Sequence, residues 1–235
     1  MHFDKKDKVL VVAAHPDDEV LGCGGTIASL IRKGIEVRIL FLAEGISARF
    51  PKEKIKDKKV KYQIEYRNLS ALKAMRILGI KKSQIFFQNF RCLHLDQISI
   101  LEITKKIEKH VYNFKPTIIF SHYQHDVNND HIIVNKALLA ATRPFDKKFL
   151  RDIYSFEILS STEWNFSKPF PANCFFDISN TISKKISALK AYKKEYKKSP
   201  HPRSVETVKA LAVFRGSQVG LKYAEAFSLI RSIKI

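Results

Sequence analysis

Cysteine is scarce in this chain: Cys23, Cys92 and Cys174 are the only three in 235 residues, and they stand far apart. With no Cys-x-x-Cys pair, neither a disulfide scaffold nor a cysteine zinc cluster is expected. Long hydrophobic runs are missing as well. No apolar stretch reaches the ~20 residues that a bilayer-spanning helix needs, and residues 1–8 are too polar for a secretory leader. A reduced, cytoplasmic compartment without a membrane span is the resulting expectation. Acidic side chains are the minority, 23 against 42 Lys and Arg, for a net charge of +19. Such an excess suits nucleic acid or an anionic membrane. Here, however, the lysine clusters at 52–61 and 184–198 fall in a loop and on helices, with no nucleic-acid-binding motif around them. No specific nucleic-acid partner is expected, and solvated faces plus an anionic substrate account for the charge. No internal repeat is present, and lysine enrichment is the one compositional bias.

What the chain does contain is apolar material, 45% of its residues, enough for a sizeable core in one domain. It also contains one unusual stretch. The apolar run 9–14 stops abruptly at His15-Pro16-Asp17-Asp18-Glu19, and glycines at 22, 24 and 25 follow before a helical pattern that ends at Gly34. This order reads as buried strand, tight polar turn and helix, with the helix expected over about 25–33. Residues 35–42 form a second β-rich run, so the chain opens as a βαβ unit with a parallel sheet. The connection 43–59, with Arg49 inside it, is longer than an ordinary loop and has the length of a functional lid.

Further along, 60–78 is helical, with Leu69, Leu72, Met75 and Leu78 at helix spacing and Gly79 as its stop. A third strand is expected at 84–88. A helix capped by Asp96 should run to about 112 with Ile100, Ile103 and Ile107 inward. A fully apolar strand at 117–120 leads into a second polar cluster, Ser121-His122-Tyr123-Gln124-His125-Asp126-Val127-Asn128-Asn129-Asp130-His131. A helix over 132–142 stops at Arg143-Pro144. Beyond it the alternation loosens. Strands are expected at 152–159 and 174–178, a helix at 181–197 capped by Ser179 or Asn180, and another at 205–214. Residues 224–232 suit helix or strand by pattern alone. The expected organisation is a single domain over 1–235, with an α/β core at about 8–145 and a C-terminal extension of strands and helices at about 146–235.

Both polar clusters follow apolar strands, so in a parallel sheet they share one edge. That brings His131 toward His15 and Asp18. Two imidazoles and a carboxylate make a three-ligand catalytic zinc site with a position open for water. Asp17, beside Asp18 but facing elsewhere in a tight turn, is then free to act as base. A helix cap needs one carboxylate, and three consecutive acids with a histidine exceed that need.

At this point the residues resemble a known family. Ala14-His15-Pro16-Asp17-Asp18-Glu19 followed by Gly24-Gly25, together with Asp126-x-Asn128-x-Asp130-His131, is similar to the two motifs of the PIG-L/LmbE-like zinc-dependent N-deacetylases. Weaker similarity extends over Arg67, Leu78-Gly79, Arg143-Pro144 and Tyr223-Ala224-Glu225-Ala226-Phe227. The resemblance implies a Rossmann-like fold, a mostly parallel sheet flanked by helices, and hydrolysis of N-acetyl groups from glucosamine-type sugars or their conjugates. It implies Zn2+ held by His15, Asp18 and His131, Asp17 as general base, and Asp130 as a carboxylate orienting a ligand. Many members carry histidine where this chain has Asn128, which can donate to an oxyanion but cannot shuttle a proton at neutral pH. The acid role therefore falls back on Asp17, with His125 as the alternative.

Arg49 and Arg143 are the candidate substrate-binding residues, against the plainer readings of a solvated loop arginine and a partner for a core acid. Glu19 is read as a stabiliser of the turn, Trp164 as a sugar-stacking or packing residue, Glu225 as a buried structural partner, and His201 as a loop residue. A dinucleotide-binding module is disfavoured, because acids intervene where Gly-x-Gly-x-x-Gly would cradle a pyrophosphate. The rivals that stand are an amidohydrolase acting on another N-acyl or N-formyl amine and, behind it, a basic nucleic-acid-binding protein. Homo-oligomerisation is left open.

Overall fold

The computed structural model describes residues 3–234; Met1 and His2, on which the N-terminal reading partly rests, lie outside the described residues. In chain order the elements are β1 (Lys8–Ala13), α1 (Asp18–Arg32), β2 (Glu36–Ala43), α2 (Lys58–Leu78), β3 (Ile85–Phe90), α3 (Ile100–Phe114) and β4 (Ile118–His122). Then follow α4 (Asn129–Ala141), β5 (Asp152–Phe156), β6 (Cys174–Asp177), α5 (Ile182–Ala191), α6 (Val205–Ser217) and β7 (Ala224–Ser232). They build a seven-stranded sheet in the order β3-β2-β1-β4-β5-β7-β6. β1 to β5 are parallel, in the Rossmann-like order 3-2-1-4-5. β7 and β6 add an antiparallel edge, which resolves 224–232 as strand. No helix among the described residues is long and apolar enough to cross a membrane.

β1 is apolar throughout because helices cover both of its faces. Val9, Val11 and Ala13 pack among Ala28, Met75 and Leu189 on one side, while Leu10 and Val12 meet Ile103, Ile107 and Leu138 on the other. Each valine, leucine, isoleucine or methionine among them contributes about 1.5–3 kcal/mol when fully buried. β1 and β4 lie side by side in register, Val9 against Ile118 and Val11 against Phe120. The crevice between their carboxyl ends is the point where the strand order reverses, the usual ligand position in such sheets.

Several boundaries differ from expectation for local reasons. α1 begins at Asp18, not near Gly25, and leaves helical geometry at Cys23 (φ −145°) before resuming. Gly22 is needed there, since a Cβ would sit 2.6 Å from the Phe156 ring. Leu69 and Ile100 are exposed, and the buried faces of α2 and α3 run instead through Ala71, Met75 and Leu78 and through Ile103, Ile107 and Val111. Ser99, not Asp96, precedes α3, because Leu95–Gln97 folds as a separate 3-10 turn. α5 follows Thr181 and stops at Ala191, six residues short of expectation. The long connection after β2 contains two 3-10 turns, Ser47–Arg49 and Lys52–Lys54.

Candidate metal centre

The turn after β1 is shaped by Asp17, whose φ of 119° is a left-handed conformation that a non-glycine residue adopts only under constraint. Glu19 supplies part of that constraint. Its Oε2 accepts the Asp17 N–H at 2.9 Å and its Oε1 accepts the Tyr192 hydroxyl at 2.5 Å. Burial raises the Glu19 carboxyl to about 8, against the lowering effect of the Tyr192 hydrogen bond. Asp18 Oδ2 accepts the His15 N–H at 2.8 Å, closing the turn. The expectation that Glu19 stabilises the turn agrees with these contacts.

Beyond the neighbouring strand β4, Asn128 caps α4 by accepting the Asp130 N–H on its side chain at 3.0 Å. The helix therefore starts at Asn129 and points Asp130 and His131 into the crevice. His15, Asp18 and His131 meet there, all buried, with one ligand atom from each inside a span of 4.8 Å. Asp18 Oδ2 lies 3.5 Å from His15 Nδ1 and 3.4 Å from His131 Nε2.

The other nitrogen of each imidazole is already taken. His15 Nε2 donates to Asp130 Oδ2 at 2.9 Å, and His131 Nδ1 lies 3.2 Å from Asp126 Oδ2. Asp130 is fixed in turn by the Leu93 and Leu95 N–H groups, and Asp126 by Ser161 and Thr162. A carboxylate on the outer nitrogen, leaving the inner one free, is how ligating histidines are oriented. Asp18 Oδ1 and His131 Nε2 are buried with no hydrogen-bond partner among the described residues. Orphaned polar atoms of this kind are costly, and a divalent cation satisfies them. The donor set, two nitrogens and a carboxylate, suits zinc.

The charges around the centre agree. Burial opposes ionisation of Asp18, but the charge of His131 and the neighbouring His15 imidazole hold its carboxyl well below the usual range. Burial would lower His131, yet the Asp18 charge and the Asp126 hydrogen bond lift it to about 9. The same opposition raises His15 well above its ordinary value.

Asp17 is less free than its position in the turn suggested. It is buried, and its two oxygens accept from Arg67 Nη2 at 2.9 Å and from Arg203 Nη1 at 2.8 Å. A carboxylate withdrawn from water needs such countercharge. Burial still raises its pKa against the pull of both guanidiniums. Arg67 also donates to the Pro16 and Gly45 carbonyls, and a Cβ at Gly45 would meet its guanidinium carbon at 2.8 Å. Glu195 gathers Arg67, Arg203 and Arg49.

The two candidate substrate-binding arginines are placed differently, Arg49 joining the Glu195 cluster and Arg143 lying apart from it. Among the described residues Arg49 pairs with Glu195, through a two-pronged ion pair. Arg143 is exposed beyond the far end of α4, about 20 Å along a 13-residue helix from its N-terminus. Arg143 thus follows the end of α4 opposite to the one that carries Asp130 and His131. His125 is half-buried beside Tyr123, and Trp164 is half-exposed on a turn after β5.

Three contributors escaped sequence reasoning. His122, at the end of β4, accepts the Ala14 N–H at 2.8 Å and stacks on His131 with centroids 3.9 Å apart. Burial and the neighbouring His131 charge keep it well below its ordinary pKa. Its place at a strand end beside other histidines was a usable signal. Arg203 and Glu195 carried none, lying 186 and 178 positions from Asp17 on loosely patterned chain.

Residues 10–142 match the family model described as PIG-L: GlcNAc-PI de-N-acetylase. The diacetylchitobiose deacetylase of Thermococcus kodakarensis is 25% identical over 98% of this chain and 86% of its own length. A probable N-acetyl-alpha-D-glucosaminyl L-malate deacetylase 2 of Bacillus cereus is 26% identical over 80% of this chain and 83% of its own. Among solved structures, GalB, the 4-carboxy-2-hydroxymuconate hydratase of Pseudomonas putida KT2440, superposes with a TM-score of 0.74 at 20% identity, covering 97% of this chain and 98% of that one. That likeness is one of fold alone, and its different reaction shows why activity has to be argued from the site. On the match that spans both strand-end motifs, the chain belongs to the PIG-L family.

Proposed function

We propose that this protein hydrolyses the N-acetyl group of a glucosamine-type sugar or sugar conjugate, with zinc held by His15, Asp18 and His131. The observation that carries the reading is the convergence of three buried ligand groups, two of which, Asp18 and His131, each carry an orphaned buried atom. When bound there, zinc supplies Lewis acidity, which lowers the pKa of a water toward neutrality and polarises an amide carbonyl. Asp17, next in the chain to Asp18, takes the proton of the attacking water. Arg67 and Arg203 hold its two oxygens in place, and this fixes the direction from which it accepts.

Asn128 spends its side-chain oxygen on the Asp130 N–H. Its amide N–H groups are then the atoms it can offer a developing oxyanion, an effect worth about 3–4 kcal/mol for one well-placed donor. Asparagine has no proton to release at neutral pH. The proton that expels the amine is therefore returned by Asp17. The names carried by the Thermococcus and Bacillus relatives support an N-acetylated glucosamine substrate.

Release of acetate from a panel of N-acetylglucosamine conjugates, with and without a chelator, tests this. Chelator-sensitive acetate release is expected. Activity that survives the chelator, or release of formate or a longer acid without acetate, overturns the zinc or the acetyl assignment respectively.

A further inference from the structure

The segment after β3 brings a thiol to the outer side of His15. Cys92 is buried and its backbone N–H is pinned to Glu44 Oε1 at 2.9 Å. Its Sγ lies 3.6 Å from His15 Nε2, the nitrogen that also donates to Asp130 at 2.9 Å. His15, Cys92 and Asp130 thus form a second group of buried ligands within 4.8 Å of one another, sharing only His15 with the first. An ion about 2.1 Å from nitrogen and about 2.3 Å from sulfur, at a tetrahedral angle, spans about 3.6 Å between those two donors. The sulfur–nitrogen pair already has that separation. The carboxylate has to withdraw by a few tenths of an ångström.

We propose that Cys92 Sγ, Asp130 and the Nε2 side of His15 form a second cation site, selective for thiophilic divalent ions, whose filling inhibits the enzyme. The proposal rests on the reading that the first ion uses His15 Nδ1. Thiolate selects soft ions, whereas the first centre offers only nitrogen and oxygen. Binding expels two protons to solvent, one from the Cys92 thiol and one from His15 Nε2. The ion replaces the hydrogen bond by which Asp130 orients the His15 ring, so the first centre is disturbed through the ligand the two sites share.

The test titrates protein carrying one equivalent of zinc with cadmium chloride. Three quantities are followed: metal bound after gel filtration, the ultraviolet thiolate-to-cadmium charge-transfer band, and acetate release. Wild type should take up one further equivalent, develop the band and lose activity. Cys92→Ser and Cys92→Ala, checked for folding by circular dichroism, should show no band and bind that equivalent at least about tenfold more weakly, the loss an orienting partner alone can cause. Cys174→Ser, altered on the sheet's far edge, should keep the band. His131→Ala should lose the first equivalent and keep the band; if it retains the first equivalent, the reading of the first centre is what fails. A second equivalent without a band in wild type, or a band that survives in the Cys92 variants, overturns the proposal.

Discussion

Replacing Glu225 by alanine should unfold this protein far more readily than the loss of one surface ion pair would. Where α1 leaves helical geometry at Cys23, the regular i to i−4 ladder is interrupted and the helix that resumes presents a second set of N-terminal N–H groups. Glu225, arriving on β7, accepts the Gly25 and Thr26 N–H groups, at 2.9 and 2.7 Å. Lys185 on α5 donates to the Leu21 carbonyl at 2.8 Å and to Glu225 at 2.5 Å. The ion pair is thus spliced into the helix that begins with Asp18. Both side chains are about 5% exposed, so water gives little relief. Removing one partner of a buried pair costs about 3–5 kcal/mol. At about 2–4 °C per kcal/mol for a chain of this size, the melting temperature should fall by roughly 6–20 °C. Chemical and thermal unfolding at fixed metal concentration measures it, since bound metal shifts apparent stability. Lys185→Met should cost a similar amount. The double variant should cost less than the sum but more than nothing, because two N–H groups and one carbonyl stay orphaned at about 1–3 kcal/mol each. A loss below about 1 kcal/mol for Glu225→Ala, or strict additivity in the double variant, would refute the splice.

Asp17→Asn should retain the metal and lose about 10²- to 10⁴-fold in turnover, the usual worth of a general base; metal analysis beside steady-state kinetics checks both halves, and near-normal turnover rejects the role. Arg67→Met should destabilise the fold by about 3–5 kcal/mol. Arg203→Met should cost clearly less, because the Arg203 side chain is 20% exposed against 4% for Arg67; equal losses in denaturant titrations would contradict this. Metal uptake near pH 7 should expel a proton from His131, whose metal-free pKa is raised from 6.5 to about 9 by Asp18 and Asp126 against the effect of burial. Because the folded value is raised, the stability this proton lends the metal-free protein is complete below about pH 6.5. It disappears as pH climbs through about 9. Zinc-binding calorimetry in buffers of different ionisation enthalpy reads the released proton, and heats independent of buffer would count against it.

The parallel core and the position of the site were legible because their signals are local. An apolar run that ends in acids and histidine marks a strand edge, and two such runs in one parallel sheet place their ends together. The errors were local too. α1 was expected near Gly25 because the glycine cluster reads as the end of a turn, whereas packing of Gly22 under Phe156 and the constraints on Asp17 start the helix at Asp18. Leu69 and Ile100 fit the helical period but face water, since which apolar residues are buried depends on the partner surface. Arg143, read as a substrate-binding candidate or a partner for a core acid, follows the end of α4 opposite to Asp130 and His131, which only the helix's course through the fold reveals.

From sequence alone came the identity of the strand-end residues His15, Asp17, Asp18 and His131, the α/β pattern and the family resemblance. Side-chain chemistry and periodicity are properties of short segments, and so can be read in order. Only the tertiary structure decided who holds these residues: Asp126 behind His131, Asp130 behind His15, Arg203 and Arg67 on Asp17, Glu225 and Lys185 in the break of α1. Burial is what makes those partners necessary, because a charge without water must be met by another group. Except for Asp126, whose partner is five positions away, those groups come from more than 35 positions along the chain, a distance over which sequence pattern carries no information.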